Sequence, residues 1–184
     1  FEPQALNQHT RTQTRTRTHT HNTHTQHAHM SIDDIRVSVL TEDDQHKETT
    51  LGELRSERAM VIDFWHTRCT RCPTALVELA SVAKKHKDSG AVFVAAALSL
   101  ADKSGDGFPA TDSESEIQAE ELVQELDEFK DVMHCFVGKD EKVRLKAALQ
   151  LRTVPFCAVV QKDGVCVAKG VSATDGVTLL LAKP

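Results

Sequence analysis

Aromatic residues are scarce in this chain of 184 residues, where they make up 4% of the sequence with one tryptophan and no tyrosine. Basic residues are also outnumbered, with 22 lysines and arginines against 27 aspartates and glutamates. Without residues 1–30, which hold three arginines and one glutamate, the formal net charge changes from −5 to −7. An acidic chain with few aromatics and no basic stripe lacks the surface by which proteins normally bind nucleic acids. We therefore exclude nucleic-acid binding as a function class.

Long hydrophobic runs are missing as well. The longest, Ala91–Leu98, has eight residues, well short of the roughly 20 that cross a bilayer, so no membrane partner is expected. The five cysteines are an odd number, two of them form a Cys-x-x-Cys motif, and no segment resembles a secretory leader. These features favour a reducing compartment. We therefore expect a cytoplasmic protein, and we expect it to be a monomer.

The first thirty residues have a composition of their own, dominated by Thr, His, Arg, Gln and Asn, with Thr at every second position from Thr10 to Thr20. A CA-rich nucleotide repeat is translated into such residues, so we expect Met30 to be the natural start. With few apolar groups to offset the entropy of ordering, residues 1–30 are predicted to form a disordered tail. Metal binding by its six histidines and a mitochondrial transit peptide stay open as alternatives.

Hydrophobic periodicity from residue 31 onward predicts an α/β domain that spans residues 31–184. Strands are predicted over residues 35–39, 59–65, 91–98, 132–137, 156–161 and 165–168. Helices are predicted over residues 72–83 and 117–129, around 143–148, and from 177 onward. The strand at residues 59–65, the helix at 72–83 and the strand at 91–98 surround the Cys-x-x-Cys motif and predict a parallel strand–helix–strand unit with a right-handed crossover. Asp163-Gly164 predicts a two-residue hairpin turn, so the sheet is expected to be parallel in its middle and antiparallel at one edge.

The motif Cys69-Thr70-Arg71-Cys72 follows a predicted buried strand and opens a predicted helix. Unpaired N–H groups at a helix start, together with the helix dipole, stabilise a thiolate, and Arg71 adds a fixed cation. Cys69, nearest that end, is therefore predicted to be the nucleophile. Cys72, one turn further along, is predicted to attack the mixed disulfide and release the product. The motif thus predicts an enzyme that exchanges a dithiol with protein or low-molecular-weight disulfides.

Two segments resemble the thioredoxin superfamily. Residues 61–65, Val-Ile-Asp-Phe-Trp, followed by Cys69-x-x-Cys72-Pro73, resemble the active-site segment of thioredoxins. Residues 153–156, Thr-Val-Pro-Phe, resemble the loop in which that family holds a cis-proline beside the cysteines. Cys72 and Pro155 stand 83 residues apart. This layout, with a helix and a strand inserted before the cis-proline loop, is similar to TlpA-like thioredoxins, tryparedoxins and nucleoredoxins.

The resemblance covers residues 37–181 and implies a thioredoxin-like fold, a mixed central β-sheet flanked by helices. It also implies roles for single residues. Asp63 would be the buried carboxylate that moves a proton at Cys72, and Pro155 would present its backbone to a substrate that binds partly as an added strand. Residues flanking the dithiol would complete the substrate surface, namely Trp65, Arg71, Val154 and Phe156. An upstream reductase or reduced thiol would regenerate the dithiol, and no cofactor beyond the cysteines is implied.

The sequence departs from the family pattern at three places. Thr70-Arg71 stands between the cysteines instead of Gly-Pro or Pro-Pro, and Arg68 stands where relatives carry an aromatic residue. A charge therefore replaces an aromatic substrate surface. The lysine that approaches the buried carboxylate is missing, because residues 95–97 of the neighbouring strand are alanines. Burial without that lysine predicts a pKa of Asp63 above its ordinary value.

Parts of the sequence are also compatible with two other function classes. A Cys-x-x-Cys pair can be half of a zinc site, for which His66 and His134 are the remaining candidates, but no second pair with metal spacing exists in the sequence. No metal site is therefore predicted. A thioredoxin fold used only for binding is the second alternative, although a scaffold has no need of both sulfurs. The other three cysteines, Cys135, Cys157 and Cys166, lie in apolar strand runs and are predicted to pack as small hydrophobic side chains.

Overall fold

The computed structural model describes residues 31–40, 47–124 and 131–181. The predicted tail, residues 1–30, lies outside this range, as do the last residues of the helix predicted over 117–129. The strands are β1 (Arg36–Val39), β2 (Lys47–Thr50), β3 (Met60–Trp65), β4 (Val92–Leu98), β5 (Met133–Val137), β6 (Phe156–Val160) and β7 (Cys166–Val171). The helices are α1 (Leu51–Arg55), α2 (Cys72–Lys85), α3 (Asp112–Gln124), α4 (Lys139–Leu149) and α5 (Ala173–Leu181).

All seven strands form one mixed sheet in the order β2-β1-β5-β4-β3-β6-β7. Neighbouring strands among β3, β4 and β5 are parallel, whereas β1, β2, β6 and β7 pair antiparallel with their neighbours. The prediction of an α/β fold with a mixed, helix-flanked sheet is confirmed. The predicted antiparallel edge is present at β6 and β7, and the opposite edge, formed by β1 and β2, is antiparallel as well. Strand β2 has the sequence Lys-Glu-Thr-Thr, which contains no apolar residue and so gives no alternating pattern.

The central strands are buried because helices cover both faces of the sheet. Every residue of β3 and of β4 is buried. Alternate β3 side chains point to opposite sides, so that Ile62 and Phe64 pack in one cluster and Val61 and Trp65 in the other. The first cluster receives α1 and α4, and the second receives α2, α3 and α5. Each large side chain buried in this way contributes about 1.5–3 kcal/mol of transfer free energy.

The predicted hairpin joins β6 to β7, but its turn is placed differently from the prediction. The Gly164 N–H donates to the Gln161 carbonyl at 3.0 Å, and the Gln161 N–H donates to the Val165 carbonyl at 2.9 Å. A two-residue loop of Asp163 and Gly164 would pair Gln161 with Cys166, whereas in the structure Val160 pairs with Cys166. Gly164 has φ of 82°, which only glycine adopts without strain. The dipeptide correctly marked the turn, but glycine serves as the residue that closes it rather than as half of a two-residue loop.

Candidate active site

The Cys-x-x-Cys motif lies where β3 ends and α2 begins. Cys72 is the first residue of α2, and Pro73 follows it at a position where the missing N–H costs the helix nothing. Before the helix the chain turns tightly, because the Cys69 N–H donates to the His66 carbonyl at 3.0 Å. This turn brings the two cysteines together as a disulfide with a Cα–Cα distance of 5.4 Å. The helix start and the turn together place both sulfurs at one end of the sheet.

The two sulfurs have unequal surroundings. Cys72 is 1% exposed, whereas Cys69 is half-buried. The backbone N–H of Cys72 donates to the Sγ of Cys69 at 3.1 Å. A helix-start N–H directed at sulfur stabilises negative charge there when the disulfide is reduced. The arrangement therefore suits Cys69 to accessible thiolate chemistry and leaves Cys72 shielded behind it.

Asp63 is the polar exception in the middle of β3 and is 3% exposed. The backbone N–H of Phe156 donates to its Oδ1 at 3.2 Å, and Ala95 lies opposite it on β4. Burial raises the pKa of Asp63 to about 6, and the negative charge of Glu78 on α2 acts in the same direction. The expected increase in pKa is confirmed, with its expected cause. Since the value lies near neutrality, this carboxyl group can both hold and release a proton.

The second motif lies beside the first. The peptide bond between Val154 and Pro155 is cis, as the resemblance implied. The Arg71 guanidinium donates through Nη2 to the Val154 carbonyl at 3.4 Å, so the dithiol turn and the cis-proline loop are in contact despite their separation along the chain. Arg71 is exposed and Val154 is half-buried. Pro155 and Phe156, also half-buried, complete the loop.

Trp65 lies beside the dithiol but is buried, so it is not part of a surface that a substrate can contact. Its side chain is 1% exposed and packs in the same buried cluster as Cys72 and Leu76. It therefore lies beside the dithiol, as the resemblance implied, but has no surface to offer a substrate. The physical reason is that Trp65 points to the side of β3 that is covered by α2, α3 and α5. The predicted substrate contact of Trp65 is corrected accordingly.

An aromatic residue that the sequence interpretation missed does reach this surface. Phe108 lies in the loop between β4 and α3 and is 38% exposed. The Arg68 guanidinium lies 5.6 Å from the centre of its ring, within the range of a cation–π contact. Arg68 also donates to the carbonyl of Gly107. The charge next to Cys69 is thus paired with an aromatic ring from a distant loop, and no local sequence pattern indicates this pairing.

The remaining cysteines lie apart from this chemistry. Cys135 and Cys157 are 0% and 3% exposed in β5 and β6, Cys166 is half-buried in β7, and none of them forms a disulfide. Burial raises the pKa of the Cys135 thiol to about 12 and raises the pKa of Cys157 above its usual range. These two thiols therefore stay protonated and behave as core side chains, as predicted.

Within residues 31–40, 47–124 and 131–181, no group of three or more His, Cys, Asp and Glu side chains is placed to hold a metal ion. His66 and His134, the candidate partners of the cysteines, thus do not complete a zinc site there. In the same part of the chain, no helix is long and apolar enough to cross a membrane.

Comparisons with known proteins identify the fold. No family model matches the chain, and no curated protein matches it significantly. Among solved structures, the chain is similar to the thioredoxin domain of a thiol-disulfide oxidoreductase from Bacteroides vulgatus, with 16% identity, a TM-score of 0.57, and coverage of 79% of this chain and 89% of that one. An exposed lipoprotein thioredoxin from Streptococcus pneumoniae has 18% identity, a TM-score of 0.56, and coverage of 79% and 97%. A thiol-disulfide oxidoreductase from Bacteroides fragilis has 15% identity, a TM-score of 0.57, and coverage of 82% and 99%. The chain therefore has the thioredoxin fold, which the two sequence motifs implied.

Proposed function

We propose that this protein is a thiol-disulfide oxidoreductase whose working groups are Cys69 and Cys72. The observation that carries the proposal is the Cys69–Cys72 disulfide at the start of α2, with a buried carboxyl group and a cis-proline loop beside it. A dithiol that can close into a disulfide at a helix start is built for thiol–disulfide exchange. The names of the similar structures support the same activity.

The reaction begins from the reduced dithiol. The thiolate of Cys69 attacks one sulfur of a substrate disulfide, a mixed disulfide forms at Cys69, and the first substrate thiolate leaves and takes up a proton. Cys72 then loses its proton and attacks the Sγ of Cys69, which releases the second substrate thiolate. Two electrons have passed to the substrate, and the Cys69–Cys72 disulfide remains.

Asp63 is the group proposed to accept the proton of Cys72. It lies between Val61 and Trp65, whose side chains pack in the same cluster as Cys72, so all three face α2. The pKa of Asp63, raised to about 6 by burial, leaves most of the carboxyl groups ionised at pH 7. Such a base can take a thiol proton and return it when the cycle runs in the other direction.

The cis-proline loop is proposed to hold the substrate chain. Val154, Pro155 and Phe156 are half-buried next to the dithiol turn, and Arg71 is in contact with this loop. A peptide that adds to such a loop as an extended strand would place its disulfide near Cys69. The proposal includes regeneration by an upstream reductase or a reduced thiol, no further cofactor, a monomeric state and a cytoplasmic location.

The test is catalysis of insulin reduction by dithiothreitol, followed by the turbidity of the released chains. Wild-type protein is expected to accelerate the reaction, and Cys69→Ser is expected to leave only the uncatalysed rate. Cys166→Ser is the matched control, because it makes the same chemical change at a half-buried cysteine of β7. Wild-type protein without catalysis, or Cys69→Ser with full activity, would reject the proposal.

A further inference from the structure

A small cavity opens on the side of the dithiol turn that faces α4. Its volume is about 130 Å3, and its lining includes His66, Lys103, Lys142, Lys146, Arg152 and Val154. Pockets for whole drug-sized ligands begin at about 300 Å3, so this cavity has room for one functional group and not for a complete large ligand. We call this cavity the basic pocket.

Four cations line the basic pocket, although the chain as a whole is acidic. They come from three places: Lys103 from the loop after β4, Lys142 and Lys146 from successive turns of α4, and Arg152 from the segment before the cis-proline. Like charges at positions i and i+4 of a helix repel each other and destabilise it. Four positive charges around one cavity therefore repel one another, and an anion in the cavity would offset this repulsion.

The protein compensates only part of this charge. Lys142 is 2% exposed, and its Nζ donates to the carbonyl of Ser99 and to the carboxylate of Asp102. Asp102 thereby balances one cation. Among the described residues, Lys103, Lys146 and Arg152 form no ion pair, and no carboxylate lines the cavity. Three cations remain available to a ligand.

The basic pocket also touches both parts of the proposed active site. The backbone carbonyl of His66 accepts the hydrogen bond from the Cys69 N–H that forms the dithiol turn. Val154 immediately precedes the cis-proline. Burial lowers the pKa of His66, and the nearby Lys142, Lys103 and Lys146 act in the same direction. The lowered pKa favours the uncharged imidazole of His66, so the positive charge of the pocket comes mainly from the lysines and the arginine.

We propose that the basic pocket binds a carboxylate of the disulfide substrate, and that the protein acts preferentially on small acidic disulfides. The carboxylate pairs with Lys103, Lys146 and Arg152, while the substrate disulfide lies at Cys69. This inference rests on the proposed function. The exchange step is unchanged: Cys69 forms the mixed disulfide with one half of the substrate, and the other half leaves as a thiol.

The test compares three disulfides of different charge under single-turnover conditions, so that no upstream reductase is needed. Reduced protein is mixed with glutathione disulfide, which carries net negative charge, with bis(2-hydroxyethyl) disulfide, which is neutral, or with cystamine, which is positive. The sole tryptophan, Trp65, packs in the cluster of Cys72, so its fluorescence reports closure of the disulfide. Quenching by alkylation at set times provides a second readout.

Wild-type protein is expected to react fastest with glutathione disulfide and slowest with cystamine. In the double variant Lys103→Gln/Lys146→Gln, the ratio of the glutathione disulfide rate to the neutral disulfide rate is expected to fall about tenfold, the effect of one charge-assisted hydrogen bond. Lys84→Gln/Lys85→Gln is the matched control, since it removes two exposed charges at the far end of α2. In that variant the ratio is expected to equal the wild-type ratio.

Each remaining outcome separates the two proposals. Rates that do not depend on substrate charge, or an equal fall of the rate ratio in the control variant, would overturn the proposal that the basic pocket binds a carboxylate. Either result would leave the proposed oxidoreductase function unaffected. If wild-type protein reacts with none of the disulfides, the proposed function itself is wrong.

Discussion

The cysteines of this protein occupy two kinds of environment. Cys69 and Cys72 lie at the start of α2, where a backbone N–H points at sulfur and one of the two side chains reaches the surface. Cys135 and Cys157 lie inside central strands of the sheet and are almost completely buried. Cys157 stands two residues after Pro155 and pairs with Asp63 across β3 and β6, so nearness to the active site does not distinguish the two groups.

The comparison teaches that the reactivity of a thiol depends on what surrounds its sulfur. A helix start supplies N–H groups that stabilise a thiolate, whereas strand interiors supply apolar side chains that favour the neutral thiol. In a strand, moreover, the backbone N–H groups are already engaged in the sheet.

The largest expected effect is a complete division of labour between Cys69 and Cys72. Cys72→Ser is expected to accumulate a stable mixed disulfide with glutathione, because the group that resolves it is gone. Cys69→Ser is expected to form none, since Cys72 is 1% exposed. Mass spectrometry of the non-reduced proteins measures the adduct. An adduct on Cys69→Ser that matches the one on Cys72→Ser would reverse the assignment.

Rates of alkylation should distinguish the cysteine at the helix start from the cysteines in the strands. With the protein reduced at pH 7, Cys69 is expected to react with iodoacetamide first, and Cys135 and Cys157 only after unfolding. The pKa of Cys135, raised from 9.0 to about 12, by itself lowers its thiolate fraction on the order of a thousandfold. Peptide mapping at successive times gives the order of labelling. Early modification of Cys135 in folded protein would contradict the burial argument.

Asp63→Asn tests the link between the dithiol and the buried carboxyl group. Since the carboxyl is assigned the proton of Cys72, exchange at pH 7 is expected to slow on the order of tenfold to a hundredfold. Stability should change in the opposite direction. The folded pKa of about 6 exceeds the ordinary 3.8, so the unfolding free energy of the wild type falls as pH rises from about 4 to 6. Asparagine does not ionise, so Asp63→Asn does not undergo this loss, which is about 3 kcal/mol at pH 7.

Urea unfolding at pH 5 and pH 7 measures whether Asp63→Asn stabilises the protein as expected. The difference in unfolding free energy between Asp63→Asn and wild type is expected to be larger at pH 7 than at pH 5, because at pH 5 the wild-type carboxyl group is mostly protonated in the folded protein. A constant difference would mean that Asp63 does not titrate in this range. Unchanged exchange rates between pH 6 and 9 would remove the proton-transfer role.

The smallest expected effect concerns Arg71. Arg71→Gln is expected to slow the reaction of Cys69 with disulfides by roughly twofold to fivefold, because an exposed charge near a thiolate contributes only about 0.3–1 kcal/mol. The couple should become more reducing, since the reduced form loses stabilisation. Arg71→Lys, which keeps the charge, should restore most of both properties. Redox titration against glutathione measures the couple, and a loss of the effect at high salt would support its electrostatic origin.

Local patterns in the sequence predicted the elements that carry the dithiol. The apolar runs at residues 59–65 and 91–98 form the buried strands β3 and β4, because side chains on both faces of these strands are covered by helices. The Cys-x-x-Cys motif fell at a helix start, and the Thr-Val-Pro-Phe segment contained the cis-proline. Strand β2 was missed for lack of apolar residues. Helix α1 had an unused signal, the capping box formed by Thr50 and Glu53.

Most secondary-structure elements and the identity of the dithiol could be predicted from the sequence, because both depend on residues that are near each other in the chain. Only the tertiary structure placed Arg71 on the Val154 carbonyl, Arg68 against Phe108, and three lysines and an arginine around one cavity. It also buried Trp65, which the sequence had assigned to the substrate surface. These contacts depend on strand order and on how helices cover the sheet, which bring together residues tens of positions apart that no local pattern connects.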